Sequence, residues 1–287
     1  MLKKKRFWLL LLLIGGLYFF YSAAELRMND DTFKAFLSDD YPIHFERYTV
    51  GNRTIRYVEV GHDSLPLLIG IHGAPSSSAG WRFFLKDSLL LSKAKLLVVD
   101  RPGYGYSGYG EPEKSIKKQA ELLAPILKAK RALHEKIVLV SSSYGGPVAA
   151  ALGMFYPDLV DGICSVSGSF APHEEKTYWI SYPTTHPTLE WLVPGSLQSA
   201  NAEKLSHHTA LKEIEPYWHQ IKAPTVIVHG DIDGLIYPEN AHYAERKLVN
   251  AKWVEKIMLP NKDHGLPFSD PEMVRNIFLY TLDRVGE

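Results

Sequence analysis

A serine on a predicted turn between a strand and a helix constrains this chain more than any other feature. The apolar run Lys136–Val140 leads into Ser-Ser-Ser-Tyr-Gly-Gly, and the helix-forming stretch Pro147–Leu152 follows directly. So sharp a turn strains the backbone of its central residue and needs small residues two positions before and after it. Ser143 meets this requirement, because Ser141 and Gly145 flank it at those positions. Ser143 is therefore the candidate nucleophile.

Length and composition predict one large α/β domain with a substantial core, since the chain has 287 residues and is 46% hydrophobic. The 32 basic and 32 acidic residues cancel, and the dense basic cluster lies at the extreme N-terminus, in residues 3–6. A nucleic-acid partner is therefore not expected. Cys164 is the sole cysteine, which excludes an intrachain disulfide and a cysteine-rich metal site. Its apolar neighbours predict a buried structural thiol.

Residues 1–24 have the pattern of a membrane-directing segment. After the basic start, residues 7–21 are almost entirely apolar or aromatic, and Ser22 and Ala24 offer a small-residue cleavage site. The aromatic end and the cytoplasmic preference of lysines favour an uncleaved single-pass anchor, with the rest of the chain on the non-cytoplasmic side. A cleaved signal peptide, which would leave a secreted or periplasmic protein, is the alternative.

Alternating strand and helix signals predict a mostly parallel eight-stranded sheet flanked by helices. After a polar connector over residues 25–43, the alternating segments His44–Val50 and Arg53–Val60 predict a hairpin. Helices are predicted over Ser115–Lys130 and Pro271–Val285. Six short apolar runs predict strands buried on both faces: Leu67–Ile71, Ala94–Val99, Lys136–Val140, Gly162–Val166, Thr225–Val228 and Trp253–Met258.

The segment Ser169–Ile221 interrupts this alternation, because it contains several prolines and six tyrosines and tryptophans but no buried-strand run. We expect it to be an insert near the carboxyl ends of the strands, where open α/β sheets bind ligands. Two interpretations of its aromatic side chains remain open: they line a substrate pocket, or they pack the insert onto the body. These aromatics are Tyr178, Trp179, Tyr182, Trp191, Tyr217 and Trp218.

The run around Ser143 resembles the nucleophile elbow of the α/β-hydrolase superfamily, in the variant form S-x-S-x-G of its usual G-x-S-x-G. Ser141 stands where the family most often has glycine, so the turn is expected to open slightly or to tuck the extra group aside. The run from Asp100 to Gly108 is similar to the family's D-x-P-G-x-G-x-S turn, whose role is mainly structural. The resemblance covers residues 44–287 and implies that the insert, residues 169–221, is a small helical lid.

The resemblance also implies an oxyanion hole, the pair of amides that binds the negative oxygen of a tetrahedral intermediate. The run His72-Gly73-Ala74-Pro75 after the first apolar strand is similar to the family's H-G-x-P loop. The loop implies that the Ala74 amide is one donor, and Tyr144, next to the nucleophile, supplies the other. His72 and His229 each precede a glycine at a strand end and are expected to position the backbone.

In the family, an acid and then a histidine follow the elbow. His264, in the glycine-flanked loop after the last predicted strand, matches the family's general base, and Asp233 matches the carboxylate of its G-x-x-D loop. Asp231 is the alternative acid, but it comes early in that loop and is expected to bond backbone amides of its own turn.

The resemblance as a whole implies a serine hydrolase that cleaves a carboxylic ester and needs no cofactor or metal. Relatives that open epoxides or displace halides carry an aspartate at the elbow, so Ser143 argues against those reactions. Peptidases, amidases, thioesterases and acyltransferases share the same residues, and a non-catalytic binding module at the membrane is the alternative from another class. The membrane-directing segment makes a lipidic acyl substrate attractive.

Overall fold

The computed structural model describes residues 15, 16, 22, 26–37 and 40–286. The strands are β1 Ile43–Val50, β2 Arg53–Val60, β3 Leu67–Ile71, β4 Lys95–Val99, β5 Ile137–Ser142, β6 Gly162–Val166, β7 Thr225–Gly230 and β8 Val254–Leu259. The α-helices from residue 26 onward are α1 Asp30–Phe36, α2 Ser88–Leu91, α3 Ile116–Arg131, α4 Gly145–Phe155, α5 Pro187–Glu190, α6 Gly195–Ile214, α7 Glu239–Lys247, α8 Leu266–Ser269 and α9 Pro271–Arg284. Short 3₁₀ helices span Ser78–Trp81, Phe84–Lys86, Pro157–Leu159, Trp179–Ser181, Pro183–Thr185 and Glu215–Gln220.

The strands form one eight-stranded sheet in the order β1-β2-β4-β3-β5-β6-β7-β8. Strand β2 is antiparallel to both of its neighbours, and the other five pairs are parallel. The prediction of a mostly parallel eight-stranded sheet is confirmed, with strand bounds that agree to within two residues. The boundaries were readable because the central strands are buried on both faces and appear in the sequence as short apolar runs.

Hydrophobic residues on successive positions of a strand enter two different cores. In β5, Ile137 and Leu139 pack with α3 and α4, whereas Val138 and Val140 pack with α9 on the opposite face. Cys164 lies in the second core, and burial raises the pKa of its thiol to about 12. The prediction of a buried thiol is confirmed.

The predicted connector contains a helix that belongs to the folded body. Phe33 of α1 is fully buried in the second core, and Asp30 pairs with Arg47 and Arg56. A seven-residue helix with one buried side chain leaves too weak a periodic signal to be predicted. The predicted anchor, residues 7–21, lies outside the described residues apart from two glycines. None of the helices in the described part of the chain has the length and apolar character needed to span a membrane.

The predicted insert lies between β6 and β7 and is built from helices, of which α6 is the longest with 20 residues. Its aromatic side chains include an example of each predicted use and a third group that is exposed to solvent. Trp218 is buried and packs edge-on against Tyr243 of α7 in the body, with the ring centres 6.1 Å apart. Trp179 and Trp191 are instead 77% and 69% exposed, and Tyr178 lines a cavity described below.

Candidate active site

The turn between β5 and α4 holds Ser143 in a left-handed backbone conformation, with φ of 52°. Such a conformation costs a non-glycine residue energy and is maintained only by the packing around it. A Cβ atom on Gly145 would lie 2.2 Å from the carbonyl oxygen of Ile71, so no side chain fits there. The extra hydroxyl of Ser141 is tucked into the sheet, where it donates to the carbonyl of Cys164 at 3.3 Å.

Three side chains from separate loops meet at this turn. The Nε2 atom of His264 lies 3.0 Å from the Oγ of Ser143, and its Nδ1 atom lies 2.8 Å from Oδ2 of Asp233. A carboxylate only accepts hydrogen bonds, so Nδ1 carries the proton and Nε2 of the neutral ring is free to accept the serine proton. The structure thus brings together the three residues predicted as nucleophile, base and acid.

Backbone amides and two histidines hold the carboxylate of Asp233 in place. Its Oδ1 accepts the amides of Leu235 and Ile236 at 3.0 and 2.9 Å. Burial alone would raise the pKa of Asp233, but hydrogen bonds from His229 and His264 and the charge of His264 outweigh it and hold the pKa well below its ordinary value. The carboxylate is therefore charged whenever His264 works as a base.

His229 was predicted only to position the backbone. Its Nε2 atom donates to the carbonyl of Ile236 at 2.9 Å and lies 3.4 Å from Oδ2 of Asp233. His229 thus also contacts the carboxylate of Asp233, and nothing in the sequence around His229 predicts this contact. The alternative acid, Asp231, does not bond His264. Its Oδ1 accepts the amide of Asn261 at 2.7 Å. The expectation that it bonds its own turn is therefore wrong, since it ties the acid loop to the histidine loop.

The two predicted oxyanion donors, the amides of Ala74 and Tyr144, both belong to residues that line a cavity with Ser143. Within the described part of the chain, neither amide donates a hydrogen bond. Tyr144 caps the N-terminus of α4, whose dipole favours negative charge at this point. The predicted structural turn lies behind them, where the carboxylate of Asp100 accepts the amides of Ser78 and Tyr106.

Two cavities meet at Ser143. The first has a volume of about 300 Å³ and lies between the nucleophile and the insert that is predicted to be a lid, with Tyr178, Leu197 and Ala200 in its wall. We call it the lid-side cavity. The histidine-side cavity, of about 220 Å³, is lined by His264 and by Phe268, which is 63% exposed. A group bound at Ser143 can therefore extend in two directions, toward the lid or past the histidine.

Comparison with known proteins identifies the family. The model of the alpha/beta hydrolase fold family matches residues 66–213. The chain belongs to this family.

Curated relatives of this alpha/beta hydrolase carry two kinds of name. It is 32% identical over 123 residues to "Epoxide hydrolase 1" of Caenorhabditis elegans, a match that covers 40% of this chain and 29% of that protein. It is 25% identical over 252 residues to "Pimeloyl-[acyl-carrier protein] methyl ester esterase" of Wigglesworthia glossinidia brevipalpis, which covers 76% of this chain and 93% of that protein. The chain spans between 28% and 41% of the length of these epoxide hydrolases.

Solved structures show the same fold at low identity. A membrane phospholipase A described as a novel bacterial virulence factor superposes with a TM-score of 0.66 at 21% identity, covering 99% of both chains. E-2-(acetamidomethylene)succinate hydrolase superposes with a TM-score of 0.63 at 18% identity, covering 84% of this chain and all of the other.

The lid-side cavity of this alpha/beta hydrolase also contains a charged pair that no sequence motif predicted. Lys204 of α6 lies 3.1 Å from Glu175, and Ser169 donates to the same carboxylate at 3.0 Å. Burial lowers the pKa of Lys204 below its ordinary value, although Glu175 opposes this. No group of three or more histidine, cysteine, aspartate or glutamate side chains suited to a metal ion occurs among the described residues.

Proposed function

We propose that this chain is a serine hydrolase that cleaves a carboxylic ester through a covalent acyl-enzyme on Ser143. One observation carries the proposal: a continuous chain of hydrogen bonds links the Oγ of Ser143 to His264 at 3.0 Å and His264 to Asp233 at 2.8 Å. A serine hydroxyl is a weak nucleophile at neutral pH, and this arrangement is the one that activates it.

In the first half of the reaction, Nε2 of His264 takes the proton of Ser143 as the serine oxygen attacks the ester carbonyl. The carbonyl oxygen becomes negative and is held by the amides of Ala74 and Tyr144. His264 then gives its proton to the departing alcohol oxygen as the C–O bond breaks. In the second half, His264 takes a proton from water and the resulting hydroxide attacks the acyl carbonyl. The bond between the acyl carbon and the Ser143 oxygen then breaks, the carboxylic acid is released, and His264 returns its proton to Ser143.

The two cavities support one orientation of the substrate. The departing oxygen must face His264, because the histidine protonates it. We therefore place the alcohol in the histidine-side cavity and the acyl group in the lid-side cavity, whose wall is mostly apolar and contains Lys204 and Glu175.

The similarity to epoxide hydrolases does not extend to their reaction in this proposal. A carboxylate nucleophile opens an epoxide to an ester, which water can then cleave. Ser143 would instead form an ether with the opened epoxide. An ether has no carbonyl group for an activated water to attack, so the product would stay bound to the serine. The matches also cover only 28% to 41% of those proteins. Ester cleavage agrees with the name of the methyl ester esterase that aligns over most of its length.

The exposed hydrophobic residues of the lid favour a substrate that is presented in a lipid phase. Seven of the sixteen exposed large hydrophobic residues in the described part of the chain lie between Tyr178 and Leu192, and residues 7–21 are apolar in sequence. Tryptophan and tyrosine are the side chains that prefer a lipid–water interface. The name of one structural relative, a membrane phospholipase A, agrees with a lipid substrate.

The lipid proposal predicts higher activity on micellar than on monomeric esters. Replacing Trp179 and Trp191 by serine is expected to remove that advantage without changing hydrolysis of a monomeric ester, because both side chains point to solvent. Equal or lower activity of the wild type on micelles removes the support for a lipid substrate.

The test of the proposed reaction is labelling with a fluorophosphonate, read by intact mass, beside Ser143→Ala and His264→Ala. We expect one label on the wild type and none on either variant, together with ester hydrolysis that depends on both residues. Absence of label on folded wild-type protein contradicts the proposal and favours a non-catalytic module. If added alcohols outcompete water for the acyl-enzyme, the reaction is acyl transfer. Amide and thioester substrates identify the remaining alternatives.

The orientation of the substrate is tested by a pair of variants. Ala200→Phe narrows the lid-side cavity and is expected to shorten the acyl chains that are accepted, with no effect on the choice of alcohol. Phe268→Ala widens the histidine-side cavity and is expected to change the choice of alcohol, with no effect on the acyl chains that are accepted. An exchange of these two effects would reverse the assignment of the cavities.

A further inference from the structure

A buried arginine lies behind the candidate oxyanion hole. Arg101 follows Asp100 after β4, and its side chain has no exposed surface. Its guanidinium forms a two-pronged ion pair with Glu203 of the lid helix α6, with N–O distances of 2.6 and 3.2 Å. Glu203 is also fully buried, and it accepts further hydrogen bonds from Tyr104 at 2.6 Å and Gln119 at 2.8 Å. The lid is thus fixed to the body at this point by a complete polar network.

The opposite side of the guanidinium faces the oxyanion loop. The Nε atom of Arg101 donates to the carbonyl of His72 at 2.8 Å, and Nη2 donates to the carbonyl of Gly73 at 3.1 Å. The imidazole of His72 adds a third contact, since its Nδ1 lies 2.7 Å from the same Gly73 oxygen. The backbone amide of Arg101 donates to Nε2 of His72 at 3.0 Å. Nδ1 therefore carries the proton and donates to Gly73.

The protonation of His72 is fixed by its surroundings. Burial, and after it the charge of Arg101, lower the pKa of His72 well below its ordinary value. The ring is therefore neutral at physiological pH and keeps the single tautomer that bonds Gly73. The Gly73 carbonyl is held from two sides at once.

The Gly73 carbonyl and the Ala74 amide belong to one peptide unit. The unit is planar and trans, so its C=O and N–H groups point in opposite directions. Fixing the oxygen toward Arg101 therefore fixes the direction of the N–H, and Ala74 lines the cavity beside Ser143. A cation on the oxygen also polarises the peptide and makes its N–H a stronger donor.

We propose that Arg101, held by Glu203 of the lid, is a positioning residue that orients and polarises the Gly73–Ala74 peptide as an oxyanion donor. The inference rests on the proposed serine hydrolase reaction, and it ties the strength of the oxyanion hole to the seating of the lid. A residue that only anchored the lid would need the ion pair with Glu203 but not the contacts with His72 and Gly73.

The first readout compares an ester with its thionoester, in which sulfur replaces the carbonyl oxygen. Sulfur is a weak acceptor, so the thionoester gains little from an oxyanion hole. The double variant Arg101→Met/Glu203→Leu removes both charges and leaves no unpaired ion. We expect kcat for the ester to fall by about 10²-fold with KM little changed, and the rate on the thionoester to fall far less. An unchanged ester-to-thionoester ratio overturns the proposal.

A matched control is available at the opposite end of β4. Lys95 and Glu59 form another buried ion pair, 2.5 Å apart, and each pairs with one further side chain, Asp63 and Lys130 respectively. These ion pairs do not include a residue of the oxyanion loop. Lys95→Met/Glu59→Leu is expected to lower stability without changing the ratio. If the Arg101 double variant does not fold, Arg101→Lys serves instead, because an ammonium cannot donate to Glu203 and Gly73 in the fork geometry of a guanidinium.

The second readout needs no activity. Of the 21 glycines, Gly73 alone is followed by alanine, so the full chain labelled with carbonyl-¹³C glycine and ¹⁵N alanine gives one Gly–Ala signal by NMR. We expect the ¹⁵N resonance of Ala74 to move upfield in the Arg101 variant and to stay in place in the Lys95 control. An unmoved signal overturns the proposal. Wild-type protein without ester hydrolysis or fluorophosphonate labelling contradicts the proposed reaction, while the NMR signal still decides whether Arg101 positions this peptide.

Discussion

Replacing Asp233 by asparagine reverses the proton arrangement of the candidate catalytic histidine. Oδ1 of the aspartate accepts the amides of Leu235 and Ile236. An asparagine must therefore place its oxygen there, because its NH₂ group would face two donors at 3.0 and 2.9 Å. The NH₂ group then takes the place of Oδ2, 2.8 Å from Nδ1 of His264.

The consequence follows from which nitrogen of the ring can accept. Nδ1 of His264 can accept a hydrogen bond from the new NH₂ group only if its proton moves to Nε2. Nε2 then donates toward the Oγ of Ser143 at 3.0 Å and cannot remove its proton. The wrong tautomer in a Ser-His-Asp site lowers kcat by about 10⁴-fold, or about 5.5 kcal/mol in the barrier.

The assay is ester hydrolysis by Asp233→Asn beside Asp231→Asn. Asp231 lies in the same loop but only accepts the amide of Asn261, a bond that an asparagine oxygen can keep, so this variant is expected to behave like the wild type. Circular dichroism shows whether both variants fold. If folded Asp233→Asn keeps kcat within about tenfold of the wild type, or if Asp231→Asn is the inactive variant, the assignment of Asp233 as the orienting acid is refuted.

Three further outcomes are expected. Cys164 should not react with a maleimide at pH 8 until guanidinium unfolds the chain, because it is buried and the pKa of its thiol is about 12; rapid labelling of native protein would contradict its burial. Gly145→Ala should destabilise the fold by more than about 3 kcal/mol in urea unfolding, since its Cβ would meet backbone at 2.2 Å, whereas Gly234→Ala, with nothing within 4 Å, should cost little. Hydrogen bonds from two lysines lower the pKa of Glu215 to about 2, so its stabilising effect is complete above 4.5 and disappears as the pH falls toward 2. The difference in Tm between wild type and Glu215→Gln should shrink over that range, and a constant difference would argue against the ion pairs as its source.

The sheet and the elbow could be predicted because their physical constraints act on neighbouring residues. A strand buried on both faces requires a short apolar run wherever it occurs, and the strained turn at Ser143 requires small residues at fixed positions. The insert was recognised by its interruption of this pattern. The helix α1 was missed because only Phe33 of its side chains is fully buried in the core.

The sequence by itself determined the order of the motifs, the serine on its turn, and a histidine and two carboxylates in later loops. Only the tertiary structure decided that Asp233 rather than Asp231 reaches His264, because the two carboxylates differ by contacts made across loops. It also joined Arg101 to Glu203, 102 positions away, and both to the peptide before Ala74. Such contacts depend on how strands and the lid pack in space, and no local pattern of residue types records that geometry.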